Sequence, residues 1–116
     1  MLNQLMELVR EKNIFRWDRK KIEIKLNSSA VTGTNNGTVL TFVTGSPGLN
    51  ELLCQFKGGD VSSYTALTDA YQTFDDSMAK DTDADLDIQL TTPSSVSSDD
   101  YYDDYQFEII VKATLL

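Results

Sequence analysis

Residues 99 to 105, DDYYDDY, put four carboxylates and three phenols into seven consecutive positions. Like charges this close repel one another and cannot all be buried, so Asp99, Asp100, Asp103 and Asp104 belong on an exposed loop or at a strand entry. Tyr101, Tyr102 and Tyr105 are large amphipathic side chains with few rotatable bonds, a type favoured at protein contacts. Acid and tyrosine on one protruding segment predict a protein-docking surface; solubility is the plainer role for the acids.

A second acidic run, Asp81, Asp83, Asp85 and Asp87, has the alternate spacing with which carboxylates converge on calcium in an EF-hand loop. The rest of that motif is missing, because the sixth position is Leu86 instead of glycine and the twelfth is Thr92 instead of glutamate. The same spacing arises when Asp85 and Asp87 form the wet face of a strand whose dry face is Leu86, Ile88 and Leu90. The strand is the expectation, with weak calcium binding as the subordinate reading and no metal site assigned.

The chain has no histidine, the residue best suited to proton transfer near neutral pH and the commonest metal ligand. Triad hydrolysis and zinc chemistry therefore lack their usual parts. A carboxylate pair about 5 to 10 Å apart is easy to propose among so many acids, but their abundance selects no pair. Cys54 is the single cysteine, so no internal disulfide can form. It falls among Leu49, Leu52, Leu53 and Phe56 with no neighbouring base or cation in sequence, which reads as a buried thiol and not a nucleophile. The glycine-containing stretches VTGTNNGT and TGSPG lack the spacing and the following lysine of a phosphate-cradling loop. The expectation is a protein without catalytic residues or cofactor.

Charge is unevenly distributed. Residues 1 to 26 hold seven basic groups against four acids, or +3, and residues 27 to 116 hold three against fourteen, or −11, together giving the net −8. The acidic majority disfavours direct binding to nucleic acid or to anionic membranes. The basic stretch from Arg10 to Lys25 is interleaved with Phe15 and Trp17, residue types that can contact phosphate and stack on bases. A solvated helix end and strand face account for it as well. Arg16, Trp17, Arg19, Lys20 and Lys21 are also suited to docking on acidic protein, including another copy of this chain.

These groups must be carried by a fold. At 116 residues, with 41% hydrophobic and 24% charged residues, the chain is expected to form one soluble domain spanning 1–116. The first thirteen residues have acids and polar groups where a signal peptide keeps an unbroken apolar stretch, so no export signal is expected. Leu2, Leu5, Met6 and Val9 form one helical stripe, predicting a first helix to about Lys12. Ile22, Ile24 and Leu26 alternate with charges as a strand. NSSAVTGTNNGT reads as a long hairpin loop with a turn at Asn36-Gly37, and TVLTFV returns antiparallel to the first strand.

Ser46-Pro47 has the form of a helix start, and Leu49, Leu52, Leu53 and Phe56 follow at helical spacing up to Gly58-Gly59. Tyr64, Leu67, Tyr71, Phe74 and Met78 repeat the same interval, predicting a third helix. Strands at Leu86 to Leu90 and from Tyr105 to Ala113 complete the order αββααββ, an α+β domain with a four-stranded, mainly antiparallel sheet packed by helices. TTPSSVSSDD breaks the last two strands apart, since Pro93 lacks a ladder donor.

The leading functional expectation is a non-catalytic structural or assembly protein, a small bacteriophage-like virion component making protein contacts in a ring or shell. Its charge segregation would let neighbouring copies meet head to tail, and its two Ser/Thr/Asn/Asp loops would reach them. Partners are then protein, as a homo-oligomer or as neighbouring particle subunits, with synthesis in the cytoplasm and residence in a virion. The alternative is a small acidic inhibitor whose aspartates stand where phosphates lie in a nucleic-acid-binding enzyme. A weaker third reading is an acidic secretion chaperone dimerising through an apolar helix face.

Overall fold

A computed structural model of the protein describes residues 18–116. Eight strands follow in chain order: β1 Arg19–Leu26, β2 Ala30–Thr32, β3 Val39–Phe42, β4 Glu51–Gly58, β5 Val61–Ala66, β6 Gln72–Ala79, β7 Asp87–Thr91 and β8 Ile109–Leu115. The only helical element among the described residues is one 3-10 turn, Asp99–Tyr101. No helix among them is long and apolar enough to cross a membrane.

Two sheets result. β1 lies between β6 and β8 and is antiparallel to both. The other sheet is built on β4, which pairs with β3 in parallel at Thr41 to Phe42, with β5 antiparallel further along, and with β7 antiparallel from Leu53 to Lys57. Leu52 and Cys54 turn their carbonyls to Val43 and Leu67, so β3 and β5 share one edge of β4 and β7 takes the other. β2 completes the sheet as a hairpin with β3.

The expected α+β architecture is thus corrected to an all-β one. The stretch expected to be helical from Ser46 is a turn followed by β4, and the predicted third helix is β5 and β6. The apolar interval misled at both places for a physical reason. β4 is a central strand buried on both faces, with Leu52, Leu53, Cys54 and Phe56 between 0 and 9% exposed, and such a strand reads as a short apolar run that fits either period. Tyr64, Leu67, Tyr71, Phe74 and Met78 come from two strands and their connection, so their regular spacing belongs to no single element.

Gly58-Gly59 is a tight hairpin and not a helix stop. Gly58 and Gly59 have φ of 141° and 54°, and a Cβ on Gly59 would stand 2.5 Å from the Phe74 carbonyl oxygen. The strand at Ile22 to Leu26 and that at Leu86 to Leu90 are present as β1 and β7. The last strand begins at Ile109 and not at Tyr105, and β3 pairs with β2 and β4 and not with β1. The first predicted helix lies outside the described residues.

The sheets enclose two apolar clusters. Ile24, Leu26, Cys54, Phe56, Leu67 and Phe74 form the larger, and Val31, Leu40 and Leu52 the smaller. Phe42 and Phe107 pack against both, edge to face with ring centroids 5.1 Å apart. This aromatic pair ties the start of the β8 approach to the smaller cluster, where the acidic loop sits.

Candidate docking surface

The acid-and-tyrosine segment lies in the connection between β7 and β8, and the chain fixes it at two places. At the first, Asn50 donates its backbone N–H to the Ser95 carbonyl at 3.0 Å, and its amide side chain exchanges two hydrogen bonds with Ser97. At the second, the turn between β2 and β3 clasps residues 100 to 105. Both long polar loops therefore bind each other before they can bind anything else.

Asp103 is the centre of the clasp. Its carboxylate accepts from the backbone N–H groups of Asn35 at 3.0 Å, Asn36 at 2.8 Å and Asp104 at 2.7 Å, and from the Asn35 side-chain amide at 2.7 Å. The Asn36 N–H above all, helped by the Asp104 and Asn35 donors, holds this carboxyl below the usual aspartate range. Gly33 makes the approach possible, because a Cβ there would lie 2.5 Å from Asp103 Oδ2. Beside it, the backbone N–H and the hydroxyl of Thr34 both donate to the Asp104 carbonyl, and the Asn36 side chain donates to the Asp100 carbonyl.

The tyrosines divide between inside and outside. The Tyr105 hydroxyl donates to the Tyr101 carbonyl at 2.8 Å and, with its one proton so used, accepts from Thr38 Oγ1 at 2.9 Å. Tyr101 and Tyr105 are half-buried and pack on the cluster of Val31, Leu40 and Leu52. Tyr102 is 74% exposed, the most exposed large apolar side chain among the described residues. Asp99, Asp100 and Asp104 are exposed beside it. Of the seven clustered residues, Tyr101, Asp103 and Tyr105 therefore serve the loop's own structure, and Tyr102 with three aspartates faces outward.

Next to Tyr102 lies an apolar groove of about 420 Å³, floored by Leu40, Leu52, Leu90 and Phe107 and walled by Pro93 and Val96. Tyr101, Tyr102 and Tyr105 form its aromatic side. Sequence reasoning found the tyrosines but missed this groove, and missed Gly33, Asn35, Asn36, Thr38 and Asn50 as the groups that hold the loop. The available signal was the donor-rich composition of TGTNNGT, which suits an acid acceptor as well as it suits a turn.

The basic candidates stand elsewhere. Arg19, Lys20 and Lys21 begin β1, with Lys20 opposite Met78 and Leu115, and the Arg19 guanidinium donates to the Ser77 carbonyl. The acidic loop adjoins the other end of β1, where Asn27 N–H donates to Glu108. Seven residue steps of extended chain separate those ends by about 23 Å. The structure thus does not bring the two candidate patches into one site. Arg16 and Trp17 lie outside the described residues.

Cys54 is on a strand and not on a helix; it is fully buried, and burial pushes its thiol pKa up. Asp85 and Asp87 adjoin and open β7, as the strand reading expected, but the expected dry face of Leu86, Ile88 and Leu90 is 38 to 47% exposed. Among the described residues no three or more acidic or cysteine side chains converge in a way that could hold a metal ion. Comparison with known proteins finds no family model, no curated protein and no solved structure that matches this chain.

Proposed function

We propose that the protein is a non-catalytic assembly component, a small structural subunit of a virus-like particle that docks neighbouring proteins through the loop face at Tyr102. One observation carries this reading: a large aromatic, 74% exposed, stands on a loop pinned by the Asp103 hydrogen bonds and borders an apolar groove. Leaving such a side chain in water has a free-energy cost, and fixing it beforehand lowers the entropy lost on binding. Aromatic anchors beside a desolvated groove are where interface energy concentrates. The placement of Arg19 to Lys21 and of the acidic loop at opposite ends of β1 favours end-to-end contacts between subunits, as a ring or shell needs.

The acidic-inhibitor alternative has less support, because Asp103 spends its carboxylate on its own chain and leaves fewer charges to imitate a phosphate row.

The test is co-sedimentation of the full chain with assembled particles from producing cells, comparing wild type with Tyr102→Ala and with Asp99→Asn/Asp100→Asn/Asp104→Asn. The assembly reading expects wild type in the particle fraction and Tyr102→Ala lost from it with an unchanged melting temperature. A chain never found in assemblies, or one released by the asparagine variant but not by Tyr102→Ala, would sink it.

A further inference from the structure

The two sheets have unequal edges. β6 is bulged twice against β1 and carries Asp75 and Asp76, and β2 is three residues long, both devices that blunt an edge against pairing. β7 and β8 have no bulge, and each carries a single charge, Asp87 and Lys112. β8 runs in unbroken register with β1 from Lys20 to Leu26, β7 does so with β4 from Leu53 to Lys57, and neither has a second strand partner among the described residues.

Hydrogen-bond parity fixes what each edge displays. In β8 the pairs Asn27 with Glu108 and Arg19 with Leu116 are the bonded ones, so even-numbered residues face β1 and Ile109, Val111 and Ala113 turn their amides outward. In β4 the even-numbered residues serve β3 and β5, so β7 bonds through Asp87, Gln89 and Thr91 and leaves the amides of Ile88 and Leu90 free.

The side chains of these outward-bonding residues belong to the core face. Ile88 is opposite Phe56, Leu90 opposite Cys54, and Val111 opposite Ile24, partners that are 0 to 1% exposed. Yet Ile88, Leu90 and Val111 are 40, 47 and 55% exposed. Both edges flank one mouth of the sandwich, because Leu86 and Val111 line the same apolar crevice with Ile22, Ile24 and Phe74.

We propose that this mouth is a self-complementary interface, in which β8 of one copy adds antiparallel to β7 of a second copy with Val111 opposite Ile88. In that register Ile109 meets Leu90 and Ala113 meets Leu86, each outward amide finds a partner, and on the solvent face Lys112 stands opposite Asp87. Lys112, which reaches Glu23 of its own copy at 3.4 Å, gains a second acid there; a shift by two residues sets it against Gln89 in one direction and against Asp85, ahead of β7, in the other. Since both edges border the same mouth, a two-fold axis repeats the contact, and the pair is isologous and closed. The inference rests on and deepens the assembly reading by naming a second copy as partner, on a strand edge that shares Leu90 with the groove beside Tyr102.

The test uses the full chain in two single-cysteine forms, Val111→Cys and Ile88→Cys, each in a Cys54→Ala background shown to unfold cooperatively. Mixed and mildly oxidised, they should cross-link to each other far faster than either does to itself, and sedimentation of the unmodified chain should give twice the chain mass. Ile88→Lys, an exposed-edge change that leaves the fold intact by circular dichroism, should raise the dimer dissociation constant at least about tenfold. A monomer at every soluble concentration overturns the dimer. A monomer with the Ile88 and Leu90 amides protected from hydrogen exchange also overturns it, and assigns the edge to another part of the same chain. Either monomer that still loses particle association on Tyr102→Ala leaves the assembly reading standing.

Discussion

Tyr105→Phe removes one oxygen and tests whether the acidic loop is a built surface or a loose one. The hydroxyl makes two hydrogen bonds, to the Tyr101 carbonyl and with Thr38 Oγ1, in a half-buried setting. A typical bond contributes about 0.5 to 1.5 kcal/mol net, and the abandoned Thr38 hydroxyl can turn to the Asp100 carbonyl 3.3 Å away, which softens the loss. The expected destabilisation is about 1 to 2 kcal/mol, or a fall in melting temperature of about 4 to 10 °C for a domain of this size. Urea unfolding followed by far-ultraviolet circular dichroism measures it. Tyr102→Phe is the control and should stay within about 0.5 kcal/mol of wild type. In a double-mutant cycle with Thr38→Val, the pair should couple by at least about 0.5 kcal/mol. Tyr105→Phe within about 0.3 kcal/mol of wild type, with no coupling, would mean that water already satisfies the hydroxyl, and the argument for a preformed docking face would fail.

Two further outcomes follow from the geometry. Asp103 has its carboxyl held below the ordinary range by donors present only in the folded chain, so its contribution is complete above the unfolded pKa of about 4 and is lost as pH falls through the lower folded value. Asp103→Asn should therefore be less stable than wild type at pH 7, with the gap closing in acid, and hydrogen exchange at Asn35 and Asn36 should accelerate in the variant. Gly59→Ala must place a side chain at φ 54° against the Phe74 carbonyl, and thermal unfolding should show a loss of at least about 2 kcal/mol; a loss below about 0.5 kcal/mol would contradict the hairpin described.

What could be read from the residues depended on how each strand is buried. β1 and β7 alternate apolar with polar side chains, so Ile22-Glu23-Ile24-Lys25-Leu26 and Asp85 to Leu90 announce period two, although every residue of β7 is exposed. β4 has none, and Leu52-Leu53-Cys54 offers no alternation to detect. β5 gave a clue that the apolar spacing overrode: Val61-Ser-Ser-Tyr-Thr has the β-branched and aromatic content of a strand. At the candidate site, the exposed chemistry of Tyr102 and its neighbouring acids was legible from type alone. The separate duty of Asp103 was not, because its donors Asn35 and Asn36 are distant in sequence and only the fold brings them within bonding distance.

β1 is the middle strand of its sheet, and Lys20 meets Met78 on one side and Leu115 on the other. During synthesis, then, a strand made early waits with both edges unsatisfied until residues far downstream have left the ribosome. Closing loops of that length before any reward places the protein among the slow folders, in the millisecond-to-second range typical of all-β chains. For that interval nascent β1 exposes two unpaired backbone edges, the kind of surface that makes a partly folded chain prone to aggregate.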